Sequence, residues 1–93
     1  MPIQSFADPD TEELFVRGRS RRFANIRSVA ERKLQMLDSA ATLEFLRSPP
    51  GNRLEPLAGD RAGQHSIRIN DQWRVCFVWT EKGPEQVEIC DYH

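Results

Sequence analysis

The rhythm of apolar positions changes about halfway along this chain. Between Phe23 and Asp38, Ile26, Val29, Ala30, Leu34 and Leu37 recur at intervals of three and four, with Lys33 in the same stripe. That spacing predicts a helix with one buried face, leaving Arg27, Glu31 and Arg32 largely outside it. Upstream, Asp8 precedes Pro9, and Asp10, Glu12 and Glu13 fill what would be a first helical turn. Acids suit that position, Asp8 is a natural N-cap, and this earlier helix is expected to end near Gly18. Pro2 to Phe6 reads as a short strand with Ile3 and Phe6 as its apolar contacts. A third, short helix is expected around Thr42 to Leu46, before Ser48-Pro49-Pro50-Gly51 stops it.

Past that break the period shortens to two. Ser66–Asn70, Trp73–Thr80 and Gln86–Asp91 are rich in β-branched and aromatic residues and read as strands. Asn70-Asp71-Gln72 supplies a tight turn between the first two, and Glu81-Lys82-Gly83-Pro84 a looser one before the last. Trp73, Val75, Phe77 and Trp79 share one face of their strand, and Arg74, Cys76 and Val78 share the other. The expected fold is α+β, a small domain with an N-terminal strand and two to three helices packed on one face of an antiparallel sheet.

Size keeps this to one domain over residues 1–93, because half the chain could not bury a sufficient core. Hydrophobic residues at 39% and charged residues at 29% place it among ordinary globular domains. No apolar run reaches the roughly 20 residues that span a bilayer, and the first residues do not read as a signal peptide. The expected location is therefore the cytoplasm, with no membrane partner. Cys76 and Cys90 fall inside strands without metal-ligand spacing, and a reducing cytosol disfavours pairing them, so they read as buried thiols.

A net charge of −1 is uninformative, but its distribution is not. The first sixteen residues carry Asp8, Asp10, Glu12 and Glu13 and no base. The next seventeen carry Arg17, Arg19, Arg21, Arg22, Arg27, Arg32 and Lys33 against Glu31 alone. Such a stripe is either a solvated helix face or a docking surface for a polyanion.

Two polar features bear on chemistry. Arg74 lies inside the strongest strand, on the face away from the aromatic row. It is either a sheet-surface arginine paired with a carboxylate or a guanidinium aimed at a phosphate, which its fork of donors fits. Asp91-Tyr92-His93 follows an apolar strand with no linker. It is either a frayed tail or an acid, phenol and imidazole fixed at a strand end. The segment from Arg53 to Arg61 reads by itself only as a polar turn. Phosphate-binding loops, dinucleotide fingerprints, nucleophile elbows and His/Cys metal clusters are missing from the sequence, so neither metal nor cofactor is expected. Cleavage of RNA by its own 2′-OH needs little more than positioning, proton transfer and charge stabilisation, which a few side chains on a sheet can supply.

Three stretches carry a family resemblance: "IQSF" at 3–6, "RLEPLAGDRAGQHSIRINDQWRVCF" at 53–77, and "DYH" at 91–93. In that order they resemble the HigB/GraT branch of the RelE/ParE toxin superfamily over essentially the whole chain. The resemblance implies a toxin of a type II toxin–antitoxin system that cleaves mRNA on the ribosome without a metal and leaves a 2′,3′-cyclic phosphate. It implies a helix-turn-helix antitoxin of the HigA/GraA kind, a toxin–antitoxin heterotetramer, and operator DNA bound indirectly through the antitoxin. Carried over by position, Arg74 corresponds to the arginine at the scissile phosphate. Asp91, Tyr92 and His93 correspond to the terminal group that holds geometry, stacks the nucleotide and transfers a proton. The stripe residues Arg17, Arg19, Arg21 and Arg22, together with Arg61 and Arg68, become candidates for RNA and ribosome binding.

The sequence departs from the family pattern at two positions. Relatives read L-H-P-L-K-G where this chain has Leu54-Glu55-Pro56-Leu57-Ala58-Gly59, so Glu55 stands for a histidine and Ala58 for a lysine. Loss of a positioned acid or base commonly costs about 10²–10⁴ in rate. Glu55 itself is a candidate base, although an anion repels a phosphate. Two rival readings share the fold: a ParE-like toxin that poisons gyrase, and a weakened relative that only binds its antitoxin.

Overall fold

The computed structural model describes residues 1–91. Two helices, α1 (Pro9–Arg17) and α2 (Arg27–Ser39), precede four strands: β1 (Glu55–Pro56), β2 (His65–Arg68), β3 (Trp73–Thr80) and β4 (Gly83–Asp91). The strands form one antiparallel sheet in the order β1-β2-β3-β4. Both helices pack against its β3–β4 half.

Helix α1 starts where the Asp8 carboxylate accepts from the Thr11 backbone N–H at 2.7 Å, with Pro9 in the first turn. It ends as Gly18 turns left-handed at φ 67° and its N–H reaches the Leu14 carbonyl. Thr11 is fully buried and its hydroxyl has two tasks. It donates to Asp8 and accepts from the Ile89 N–H at 3.0 Å, tying the helix cap to β4. Helix α2 begins later than its periodicity predicts, because Ala24–Ile26 wind as a 3₁₀ turn. The same tighter winding forms Glu44–Arg47, in place of the α-helix expected at 42–46, and also Pro50–Asn52.

The core lies between the helices and one sheet face. Leu14, Leu34 and Leu37 meet Ile67, Val75, Phe77, Val87 and Ile89, and Leu46 closes one end. Phe23 anchors the loop after α1 by meeting the Trp73 ring edge-on at 5.5 Å between centroids.

Three differences from the sequence expectation concern strand ends. The β3–β4 turn is tight, made by Glu81 and Lys82 alone, because Gly83 already pairs with Thr80. Gly83 sits at φ 129°, and a Cβ there would collide with the Pro2 carbonyl. The expected strand at Pro2–Phe6 is reduced to one parallel bridge, Phe6 with Val87, flanked by bonds from Gln4 to Pro84 and between Ser5, Ala7 and Val87. The segment runs along a bulged part of β4, where the register slips and Gln86 takes a positive φ, which interrupts regular pairing. Finally, β1 is two residues long and had no strand signature, since Pro56 offers no donor and survives only at an edge. Among the described residues, no helix is long and apolar enough to cross a membrane.

Candidate active site

The sheet face turned away from the helices carries the polar chemistry. Strand register sets Ser66 beside Cys76 and Glu55, Arg68 beside Arg74, and Arg74 beside Cys90. Arg74 is buried, and its guanidinium is held from two sides. Its Nε donates to the Ser66 hydroxyl at 2.7 Å, and its Nη2 donates to the Arg53 carbonyl at 2.7 Å. Glu55 completes the arrangement as an ion-pair partner at 3.6 Å, with 45% of its side chain exposed. Both readings of Arg74 therefore meet here: it pairs with a carboxylate, and the arrangement fixes a cation next to solvent.

The Arg53 carbonyl reaches Arg74 because Arg53 is left-handed, at φ 45° and ψ 54°. Its neighbour Asn52 is fully buried and fixes that turn. Asn52 accepts from the Lys33 ammonium at 2.5 Å and donates to the carbonyls of Leu46 and Ser48 at 3.1 and 3.3 Å. Lys33, in the apolar stripe of α2, is thus a buried cation with one well-placed acceptor. Burial, and then the nearby charges of Arg32 and Arg68, hold its amine below the ordinary lysine value.

Beside Arg74, Leu57, Cys76 and Cys90 form a small apolar cluster. Both cysteines are free and buried, as expected. The Cys90 thiol donates to the Glu88 carbonyl at 3.9 Å, and the interaction between the two thiols lowers Cys76 and raises Cys90, which burial raises further. Arg61 lies on the same face but is engaged, donating to Glu88 at 2.6 Å and Gln64 at 3.1 Å. The hydrogen bond from Arg61 to Glu88 raises the arginine further above its ordinary value. Arg68 pairs with the fully exposed Asp71. Asp91 ends β4 directly opposite Trp73 and accepts from the Gln72 amide at 3.2 Å. Tyr92 and His93, the other two members of the terminal group, lie outside the described residues.

The basic stripe is less basic in space than in sequence. Arg17 pairs with Glu13 at 3.6 Å, Arg22 with Asp10 at 3.5 Å, and Arg27 with Glu31 at 3.4 Å. Two acids expected only to fill the first turn of α1 are thus engaged, Glu13 with Arg17 in the same helix and Asp10 with Arg22 beyond it. Arg19, Arg21, Arg22 and Arg27, with Asp10 and Glu13, line a concavity of about 550 Å³. Arg19 and Arg21 enter no ion pair among the described residues. Arg22 also lies 4.9 Å over the Phe23 ring. Because Phe23 packs on Trp73, and Trp73 pairs with Asp91, the arginine loop is brought to the sheet end that carries Asp91.

Residues 4–93 match the family model described as the RelE-like toxin of the type II toxin–antitoxin system HigB. The chain belongs to the HigB-like toxin family. Toxin HigB-1 of Vibrio cholerae serotype O1 is 45% identical over 58 residues, which are 62% of this chain and 61% of that protein. An uncharacterised protein of Haemophilus influenzae is 39% identical over 56 residues, 60% of this chain and 55% of its own length. These matches thus span about three fifths of the curated relatives. The same fold occurs in solved structures of much lower sequence identity. A chain of the YoeB–YefM complex from Staphylococcus aureus superposes with a TM-score of 0.61 at 16% identity, covering 100% of this chain and 99% of that one. A YoeB/ParE toxin from Agrobacterium tumefaciens gives 0.51 at 22% identity, covering 100% and 99%.

In this HigB-like chain, two of the candidates read from sequence, Glu55 and Arg74, meet in one ion pair. Arg61 and Arg68 lie on the same face, and Arg17 to Arg22 form a separate basic edge. Sequence reasoning missed Ser66 and the Arg53 carbonyl. A serine inside a strand, on the same face as Arg74 once the strands pair, was the available signal for the first. The second acts through its backbone and left no signal in residue type.

Proposed function

We propose that this HigB-like toxin is a ribosome-dependent endoribonuclease that cuts mRNA and thereby arrests translation and growth. The observation that carries the reading is Arg74: a buried guanidinium fixed on the open sheet face, in the strand that begins beside Asp91. Arg74 meets the scissile phosphate and stabilises the charge that develops as the 2′-oxygen attacks phosphorus. Asp91 holds the terminal group in place, Tyr92 stacks on and orients the nucleotide, and His93 transfers the proton. The 2′-OH proton is removed, the 5′-oxygen leaves with a proton, and the phosphorus is left as a 2′,3′-cyclic phosphate. The nucleophile belongs to the substrate, so no metal or cofactor is required.

Arg19 and Arg21, with Arg17 and Arg22 behind their carboxylates, supply the surface that docks on ribosomal RNA. Arg61 and Arg68 border the path of the message but are restrained by Glu88 and Asp71. Control falls to a helix-turn-helix antitoxin of the HigA/GraA kind, which binds operator DNA and holds the toxin in a heterotetramer in the cytoplasm.

The test is primer extension on mRNA from a purified translation system, with and without ribosomes, beside an Arg74→Ala variant. Cuts that require ribosomes and vanish in the variant are the expected result. Folded, antitoxin-binding protein that leaves every message intact would overturn the proposal, and a gyrase supercoiling assay would then separate poisoning from a binding-only role.

A further inference from the structure

Ser66 is a fully buried polar side chain in β2, between His65 and Ile67. Burying a hydroxyl is costly unless it is hydrogen-bonded, and here the bond it makes is to the Arg74 Nε. Its place in the register is specific. Ser66 sits between Glu55 on β1 and Cys76 on β3, two pairs along from the Arg68–Arg74 pair and so on the same sheet face. From there its hydroxyl approaches the Nε of Arg74, while the Arg53 carbonyl takes Nη2. Two short bonds to different nitrogens of one planar group fix both its position and its rotation, which a single ion pair at 3.6 Å does not.

The second holder is itself anchored. The Arg53 carbonyl belongs to a left-handed residue, and the preceding Asn52 is bonded to Lys33 of α2 and to two backbone carbonyls. A continuous set of hydrogen bonds therefore runs from α2 through Asn52 and the Arg53 turn to the guanidinium, and Ser66 closes it from the sheet side.

We infer that Ser66, together with the Asn52–Arg53 turn, is a positioning element that presents the Arg74 guanidinium to a phosphodiester in a fixed orientation. The inference rests on the proposed role of Arg74, and it concerns how that role is supported. Ser66 touches no reacting atom and acts through Arg74. Catalytic gain from an electrostatic group depends on its being oriented before the reaction begins, so loosening the guanidinium lowers turnover more than docking. Docking is set mainly by remote contacts such as the arginine loop.

Two measurements on the intact chain separate the inference from the function it depends on. In the free protein, the arginine side-chain ¹H–¹⁵N correlation of Arg74 Nε, assigned by its loss in Arg74→Lys, is expected to be protected from exchange with water. Ser66→Ala should raise that exchange rate about 10- to 100-fold, the range expected for losing a bond to a charged group, and Ser66→Thr should restore protection. In the ribosome assay, Ser66→Ala should lower kcat about 10- to 100-fold with KM within about threefold of the parent, again with recovery in Ser66→Thr. An unchanged Nε exchange rate in Ser66→Ala overturns the inference, as does an unchanged kcat in a parent protein that cleaves. If the parent does not cleave while Nε protection depends on Ser66, the nuclease reading fails and the positioning of Arg74 stands.

Discussion

Replacing Glu55 by glutamine separates two roles for the residue that departs from the family pattern. Glu55 lies 3.6 Å from Arg74 with nearly half of its side chain in solvent. Arg74 is buried but keeps two other acceptors, and Glu55 faces solvent, so losing this half-exposed pair should cost no more than about 1 kcal/mol and leave the fold intact. Arg74 keeps its bonds to Ser66 and to the Arg53 carbonyl, so its position should persist. What changes is the field met by an incoming phosphate. A phosphate seated on Arg74 would lie about 6 Å from the Glu55 carboxylate. At an effective dielectric of about 40–80 the repulsion is roughly 0.7–1.4 kcal/mol per negative charge. Removing it should raise kcat/KM about three- to tenfold, read by primer extension over a range of toxin concentrations. The gain should shrink as salt is raised, since the pair is screened. If Glu55 is instead the general base, the same substitution should cost about 10²–10⁴ in rate. A loss of that size would refute the assignment of Glu55 as a competitor of the phosphate and make it the proton acceptor.

Three further expectations follow from the buried polar network and the arginine loop. Asn52→Ala strips the acceptor from a buried ammonium and the donor from two carbonyls, so it should destabilise the fold by about 3–5 kcal/mol. Urea denaturation would show this as a lower midpoint at unchanged slope, and a change under 1 kcal/mol would mean water replaces the amide. Lys33 has a lowered folded value against 10.5 unfolded, so the unfolded chain binds more protons in the window just below pH 10.5. Its penalty is full below the folded value and fades as pH rises through that window, so stability should gain there, and Lys33→Met should remove the slope. Arg19→Ala with Arg21→Ala should reduce the salt dependence of ribosome binding by about 0.7–0.9 in log–log slope per residue. Arg17→Ala, already paired with Glu13, should change it less.

What was legible in the sequence depended on how local its cause is. Asp8-Pro9 and Gly18 mark the limits of α1 because caps are decided within a few residues, and the three long strands follow from side-chain alternation. The start of α2 was misplaced because Ala24–Ile26 wind more tightly than the apolar period indicates. Strand β1 was invisible because two residues, one of them proline, have no alternation to read. Arg74 could be recognised as exceptional from its position in a strand. Its partners could not be named, because Ser66 is a neighbour only once the β2–β3 register is set, and Arg53 contributes a carbonyl through a positive φ. Lys33 was read as part of an apolar stripe, and its acceptor, Asn52, sits nineteen residues away in a proline-rich break. The arginine stripe misled in the other direction, since Glu13 pairs with Arg17 one turn along α1 and Asp10 of the same helix reaches Arg22 in the loop beyond it.

The N-terminal segment has a consequence for the order in which the molecule assembles. Ser5 and Ala7 take their backbone partners from Val87, and Gln4 takes its partner from Pro84, some eighty positions later. Contacts so distant along the chain form late and slowly, because a long loop must close before they repay its entropy. During synthesis residues 4–7 must wait some eighty positions for their partners, and β4, which pairs with β3 beside Arg74 and carries Asp91 at its end, is held on its outer edge only when they meet. A nascent chain thus carries Arg53, Glu55, Ser66 and Arg74 well before the strand that completes their surroundings exists. The surroundings of Arg74 are complete only once β4 has been made and residues 4–7 have joined its outer edge.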